Sequence, residues 1–132
     1  MNPTIDMSTS VGHVVAERKL RCKPLRREPG GGGINVSRAI QRLGGESLTL
    51  YTAGGASGQM VQDLLSKEGL NHHPIPIQGL TRENLIVFEK ASGRQFRFDM
   101  PGPMLHESMW KRCLEGVDCL HSETGLPHRQ RQ

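Results

Sequence analysis

Apolar residues recur at helical spacing directly after a run of four glycines, Gly30 to Gly33. The recurring positions are Val36, Ala39, Ile40 and Leu43. This spacing predicts a helix that buries these side chains as one stripe and turns its polar residues to solvent, namely Arg38, Gln41 and Arg42. Gly44-Gly45 then follows the last apolar position and is typical of a helix C-terminal cap.

The pattern continues as an alternation of strands and helices. Residues 47–52 predict a short strand, and the glycine cluster 54–58 opens a second helix that Gly69 closes. The apolar face of that helix is predicted to hold Met60, Val61, Leu64 and Leu65. Residues 73–77 predict another strand, placed at a sheet edge by Pro74 and Pro76. The alternation favours an α/β fold with a mostly parallel sheet.

Two regions interrupt the alternation. Residues 19–28 look extended, and residues 84–100 predict a hairpin that turns at 91–93. Such an antiparallel addition is either a lid over a site or an edge extension of the main sheet. A third helix is predicted to start near residues 105–108, with apolar positions from Met109 to Val117. Beyond Val117 the pattern is lost, and residues 118–132 are expected to form a disordered tail.

Composition narrows the possible function. The chain of 132 residues suits one domain, and its net charge is +4. The basic residues have no aromatic residues interleaved, so nucleic-acid binding is retained only as a nonspecific effect of charge. Three cysteines without metal spacing favour reduced thiols in the cytoplasm, and His72-His73 is interpreted as a solvated loop. No apolar run reaches membrane-spanning length, and no signal peptide is recognised.

The glycine run has two interpretations. It is either a flexible linker or a loop that lets backbone approach a ligand at a helix start. The dinucleotide pattern fails because Asn35 and Val36 stand where its third glycine belongs, and no Gly-Lys pair completes a P-loop. A loop for a hydroxylated or phosphorylated small molecule is the interpretation that remains.

Five side chains are candidates for binding such a molecule, and two of them are weaker than the others. A carboxylate at Asp6 would accept hydroxyl hydrogen bonds, although an aspartate there is equally typical of a turn. Asn35 suits a hydroxyl or caps the helix locally. Arg82 suits a phosphate or is an ordinary surface arginine, and Lys19 and Arg97 are weaker phosphate candidates. We find no nucleophile and base in sequence that would support covalent catalysis, since Ser57 and His72 lack the required partners.

Short segments resemble, in the same order, the N-terminal part of the ribokinase-like carbohydrate kinases, and in particular the minor, ribokinase-type ATP-dependent 6-phosphofructokinases. They extend over about residues 2–117, and the most specific run is 28–45. The segments are NPTID at 2–6, KLRC at 19–22, EPGGGGINVSRAI at 28–40, LGG at 43–45, AGGASG at 53–58, TRENL at 81–85, ASG at 91–93, QFRF at 95–98 and MPG at 100–102.

The resemblance implies a partial three-layer αβα core with an antiparallel β-lid formed by residues of about 11–28 and 84–100. It implies that the sugar hydroxyls are held by Asp6, Gly31, Gly32 and Asn35, and that Arg82 contacts the phosphate of the sugar. Fructose 6-phosphate, in glycolysis, is the first implied substrate, and the sequence does not separate it from tagatose 6-phosphate or fructose 1-phosphate. ATP and Mg²⁺ are the implied cofactors, and the lid implies a homodimer.

The chain also departs from the family pattern. The family's catalytic aspartate lies in a Gly-Ala-Gly-Asp motif, which does not occur here, and the ATP-binding region is not recognised either. The family's first central strand would precede Asn2, and a reading-frame change would explain the loss of pattern after Val117. We therefore expect a truncated kinase, inactive alone and partly ordered or aggregating; the alternative is a noncatalytic sugar-phosphate-binding or dimerisation module.

Overall fold

The computed structural model describes residues 2–124, with side chains described for residues 2–119. This part of the chain forms nine elements, and the α/β class is confirmed. In chain order they are β1 (Thr4–Val11), β2 (Arg26–Gly30), α1 (Gly32–Arg42), β3 (Thr49–Ala53), α2 (Gly55–Lys67), β4 (His72–Pro76), β5 (Arg82–Glu89), β6 (Gln95–Phe98) and α3 (Glu107–Thr124).

A four-stranded sheet runs in the order β2-β1-β5-β6. Strand β1 is antiparallel to β2 and parallel to β5, while β5 and β6 form the predicted antiparallel hairpin. The sequence analysis did not predict β1, because Thr4–Val11 mixes serine and threonine with few apolar residues. Of its side chains only those near its two ends, including Ile5 and Val11, are buried.

A second sheet consists of the parallel pair β3 and β4. Among the described residues β4 pairs with β3 alone, which confirms the edge position predicted from its prolines. Helix α2 packs against β1 to β4 and joins the two sheets. The buried cluster between them contains Ile5, Ile34, Tyr51, Ala53, Val61, Leu65 and Leu70.

Helix α1 forms as predicted, but the predicted buried stripe is wrong. The helix buries Ile34 and Ser37, whereas Val36 is 58% exposed and Leu43 is 88% exposed. The Ser37 hydroxyl accepts a hydrogen bond from Thr49 Oγ1 at 2.7 Å, and this contact with β3 fixes which face turns inward. Arg38, predicted to face solvent, is instead partly buried.

The predicted helix ends are confirmed for α1 and α2. Gly44 adopts φ +79°, and the amide of Gly45 donates to the carbonyl of Ile40 at 2.9 Å, which forms a C-terminal cap. Gly69 ends α2 with φ +70°. Helix α3 extends to Thr124, so residues 118–124 of the predicted tail are helical. The rest of that tail lies outside the described residues.

Candidate functional site

The register of the four-stranded sheet places the candidate residues in two adjacent rows. One row crosses β2, β1 and β5 through Glu28, Asp6 and Asn84. The other crosses the same strands through Gly30, Thr4 and Arg82. Because side chains two residues apart on a strand share a face, Asp6 and Arg82 lie on the same face of this sheet.

The carboxylate of Asp6 is held between its two neighbouring strands. Its Oδ1 accepts a hydrogen bond from Asn84 Nδ2 at 3.4 Å. Its Oδ2 lies directly over Gly30, where a Cβ atom would overlap it. A glycine is therefore needed at position 30 for close approach, not for linker flexibility, and Asp6 is a sheet residue here and not a turn residue.

The next glycines open α1 beside this carboxylate. Gly31 is the N-cap and has φ +116°, a conformation that favours glycine. The backbone N–H of Asn35 donates to the Gly31 carbonyl at 3.0 Å. The first N–H groups of a helix have no partner within it, so these residues present donors and the positive end of the helix dipole to a ligand.

Open space lies over the start of α1. A Cβ atom on Gly32 or Gly33 would meet nothing within 4 Å. Gly31 to Gly33 line a depression of about 20 Å³, together with Asn2, Pro3, Ile34, Thr49, Leu50 and Tyr51. Asn35 is exposed on the helix, so both the glycines and the side-chain amide of Asn35 are accessible to a ligand.

Arg38 forms hydrogen bonds that connect the glycine segment to the end of α2. Arg38 donates through Nη1 to the carbonyl of Pro29 at 3.2 Å and through Nε to Glu68 at 2.7 Å. Its hydrogen bonds with Glu68 raise the pKa of Arg38, and the attraction of nearby carboxylates adds to this effect against the cost of burial. Helices α1 and α2 are thereby joined next to the glycines.

The second glycine cluster sets the start of β5. The amide of Gly54 donates to Thr81 Oγ1 at 3.1 Å, and Ser57 Oγ donates to the Thr81 carbonyl at 2.7 Å. A Cβ atom on Gly54 would overlap the carbonyl oxygen of Gly79. This cluster therefore has a packing role: it holds Thr81, and so Arg82, in place.

Arg82 has a polar atom that the surrounding protein does not use. Its Nε is buried and has no hydrogen-bond partner, although buried polar groups are normally paired. Asn2 Oδ1 is in the same condition, and its amide packs against Gly102. Neither Asn2 nor Asn84 was among the candidates from sequence. Asn2 precedes β1 and Asn84 lies within β5, and neither position carries a periodic signal that marks a site.

The two weaker phosphate candidates are placed differently. Lys19 lies in the exposed connection between β1 and β2 and belongs to neither strand. Arg97 is exposed on β6, opposite Ile86, which itself pairs with Ser8. Arg97 thus shares the face of Asp6, but at two strand spacings, about 10 Å, from β1.

A histidine that was interpreted as a loop residue is bonded into the fold. His72 lies on β4, where Nδ1 shares a hydrogen bond with Tyr51 OH at 2.9 Å and Nε2 shares one with Ser66 Oγ at 2.8 Å. Burial lowers the pKa of His72, with a smaller effect from His73, and burial raises the pKa of Tyr51 to about 12. Through these two bonds His72 connects β4 with β3 and α2, so the interpretation of this histidine as part of a solvated loop is wrong.

The described residues provide hydroxyl acceptors, a cationic side chain and helix-start donors on adjacent elements. Within residues 2–124 no group of three or more histidine, cysteine, aspartate and glutamate side chains is arranged to hold a metal ion. In that same range no helix is both long and apolar enough to cross a membrane. The arrangement suits recognition of a polyhydroxylated anion.

Comparison with known proteins gives a consistent family. Residues 2–114 match the model of the pfkB family carbohydrate kinases. A Mycobacterium tuberculosis protein named ATP-dependent 6-phosphofructokinase isozyme 2 is 44% identical over 115 residues, which cover 87% of this chain and 34% of that protein. The chain therefore spans about a third of the length of this curated relative.

Solved structures agree with the sequence relatives. The crystal structure of Escherichia coli phosphofructokinase-2 in complex with fructose-6-phosphate superposes with a TM-score of 0.83 at 42% identity, covering 89% of this chain and 39% of that one. A tetrameric inhibited form of the same enzyme superposes with a TM-score of 0.81, again at 42% identity, covering 89% of this chain and 38% of that one.

Proposed function

Because this chain belongs to the pfkB family of carbohydrate kinases, we propose that it forms the sugar-phosphate-binding part of an ATP-dependent kinase of the 6-phosphofructokinase type. The proposed substrate is fructose 6-phosphate, which the Escherichia coli structure contains by name. The proposed compartment is the cytoplasm, in keeping with the free thiols of Cys22 and Cys113.

The observation that carries this proposal is the placement of the Asp6 carboxylate between Gly30 and Asn84, next to the start of α1. In the proposal Asp6 accepts hydrogen bonds from sugar hydroxyls, because an ionised carboxylate accepts more than one. Gly31 and Gly32 allow the sugar to approach the backbone, and Asn35 completes its hydrogen bonds.

The phosphate is assigned to Arg82. Its buried Nε has no partner in the described protein, and a guanidinium can bind a phosphate with two parallel hydrogen bonds. The helix start adds N–H donors that favour an anion. Lys19 and Arg97 are proposed only as supplementary cations.

The proposal assigns no ATP or Mg²⁺ contact to the described residues. The Gly-Ala-Gly-Asp motif expected to supply the family's catalytic base does not occur in the sequence. Phosphoryl transfer relies on positioned cations and a base, so the chain alone should show negligible turnover. A coupled assay with ATP, Mg²⁺ and fructose 6-phosphate that gave substantial turnover would contradict this part.

Calorimetric titration of the purified chain tests the binding function directly. Fructose 6-phosphate should bind, whereas fructose should bind at least about 10-fold more weakly, because a charge-assisted phosphate contact contributes about 1.5–3 kcal/mol. Arg82→Gln should abolish this preference and Arg97→Gln should retain it. Equal affinity for both sugars, or no heat with either, would refute the proposal.

A second candidate function is dimerisation through the proposed β-lid. Strands β5 and β6 and the segment after them expose Phe88, Phe98 and Met100, each more than a third exposed. Phe88 lies on the same face of the sheet as Asp6, and Phe98 lies on the other face. Exposed apolar side chains of this size favour association, and Phe98 is the one on the face away from the candidate site. Sedimentation equilibrium should show a dimer that Phe98→Lys dissociates; a monomer at all concentrations would remove this candidate.

A further inference from the structure

We propose that Asn84 is a positioning residue that fixes the Asp6 carboxylate for sugar binding. This inference rests on the proposed function, and it adds a residue whose role is to act through Asp6. Asn84 is 9% exposed and lies opposite Asp6 in the parallel register of β1 and β5.

The orientation of the Asn84 amide follows from its two partners. The backbone N–H of Met100 donates to Asn84 Oδ1 at 3.1 Å. Only the oxygen end of a carboxamide can accept that bond, so the NH₂ end must face Asp6. Asn84 Nδ2 then donates to Asp6 Oδ1 at 3.4 Å. The backbone N–H of Met100 therefore fixes the orientation of the Asn84 side chain in which its NH₂ group donates to the Asp6 carboxylate.

This contact limits where the Asp6 carboxylate can lie. Oδ1 is bound from the β5 side, and Oδ2 lies over Gly30 on the β2 side. With Asn84 shortened, the carboxylate would lose its only described side-chain partner and could rotate away from Gly30. An aspartate at position 84 would bring a third negative charge to the row that already contains Asp6 and Glu28.

The same amide connects the site to the segment after β6. Met100 is bound by Asn84, and two residues later Gly102 packs against the side chain of Asn2. Asn2 also lines the depression at the start of α1. The segment 100–102 therefore contacts the carboxylate through Asn84 and the edge of the glycine site through Gly102 and Asn2.

A double-mutant cycle on the full 132-residue chain tests the proposal. The variants are Asp6→Ala, Asn84→Ala and the double variant, titrated with fructose 6-phosphate. Each single change should weaken binding by about 10-fold or more, and the double variant should be no weaker than Asp6→Ala, because Asn84 acts only through Asp6. Additive losses would overturn the positioning role.

The affinity for inorganic phosphate distinguishes a positioning role from a merely structural one, because general damage to the fold would weaken phosphate binding as well. Inorganic phosphate should bind Asn84→Ala and wild type with equal affinity, since it depends on Arg82 and not on Asp6. Asn84→Asp keeps the acceptor for the Met100 amide but replaces the donor by a carboxylate beside Asp6, so it should fold and lose affinity for fructose 6-phosphate. Equal losses for phosphate and sugar phosphate in Asn84→Ala would refute the proposal.

A ligand-free measurement separates this proposal from the proposed function. In ¹H–¹⁵N spectra the Asn84 side-chain amide should shift on Asp6→Ala, whereas the exposed Asn71 amide should not. If wild type binds no fructose 6-phosphate but the Asn84 amide shifts, the proposed function fails and the link between Asn84 and Asp6 holds. An unchanged Asn84 amide would overturn the link whatever the binding result.

Discussion

The carboxylate of Asp6 fills the space in which a side chain at Gly30 would begin. A methyl group at position 30 would overlap Asp6 Oδ2 and would also lie 2.8 Å from Thr4 Cγ2. Gly30→Ala should therefore displace Asp6 and destabilise the fold by about 1–3 kcal/mol, the range of an overpacked core. Urea unfolding measures the loss.

Gly33→Ala is the matched control for this prediction. A Cβ atom at Gly33 meets nothing within 4 Å, and the residue lies inside α1. Alanine should stabilise the chain there by about 0.5–1 kcal/mol, because it restricts the unfolded backbone. Equal effects of the two substitutions would contradict the close approach of Asp6 and Gly30.

Gly32→Ala should separate ligand binding from folding. Nothing lies within 4 Å of a Cβ atom at this position, so the variant should unfold at the same urea concentration as wild type or slightly higher. The added methyl would instead occupy the open space that we assign to the sugar, and affinity for fructose 6-phosphate should fall about 10-fold or more. Undiminished affinity in calorimetry would show that the sugar does not approach Gly32.

Tyr51 should titrate abnormally, and it is the only tyrosine in the chain. Burial raises its pKa from the usual 10.0 to about 12, so the folded state favours the neutral phenol. This stabilisation is present below pH 10.0 and is lost as the pH rises towards about 12. Phenolate absorbance, followed together with circular dichroism, should rise near 12 in the folded chain and near 10.0 in denaturant. A folded chain that titrates at 10.0 would contradict the burial of Tyr51.

His72 should make the fold sensitive to acid. Its pKa is lowered below the usual 6.5, chiefly by burial, so the folded state favours the neutral ring. Above pH 6.5 His72 is neutral in both states; below it the unfolded chain binds the proton more readily, and stability falls as the pH drops through the lowered pKa. Urea unfolding at about pH 7.5 and about pH 5 measures this loss.

Two variants assign that acid sensitivity to one residue. His72→Gln should lose part of the difference between the two pH values, since glutamine takes up no proton. His106→Gln should retain it, because His106 is exposed and its ring has no hydrogen-bond partner among the described residues. The same pH dependence in all three proteins would rule out His72 as its source.

Local patterns were sufficient for elements whose partners are near in sequence. The β5–β6 hairpin and the glycine-ended helices follow from turn and cap residues within a few positions. The buried face of α1 could not be predicted, because apolar side chains occur around the helix and the choice between Ile34 and Val36 depends on what covers each side.

Long-range pairing accounts for what the sequence did not reveal. Strand β1 is held by β2 and β5, and its serine-rich sequence carries no signal of either partner. His72 likewise has its partners on α2 and β3. In the candidate site, the glycines and Asp6 could be identified from motif resemblance, but Asn84 emerged only from the register that places it opposite Asp6.

The parallel pairing of β1 with β5 also sets an order of events during synthesis. Thr4–Val11 can pair with Arg26–Gly30 soon after both leave the ribosome, but its other neighbour is complete only when Glu89 has emerged. Contacts between residues so distant in sequence form slowly, because a long loop must close first. The nascent chain can therefore form the β1–β2 pair beside Asp6 early, whereas the β1–β5 pair forms later. Until then, one edge of β1 has no partner strand.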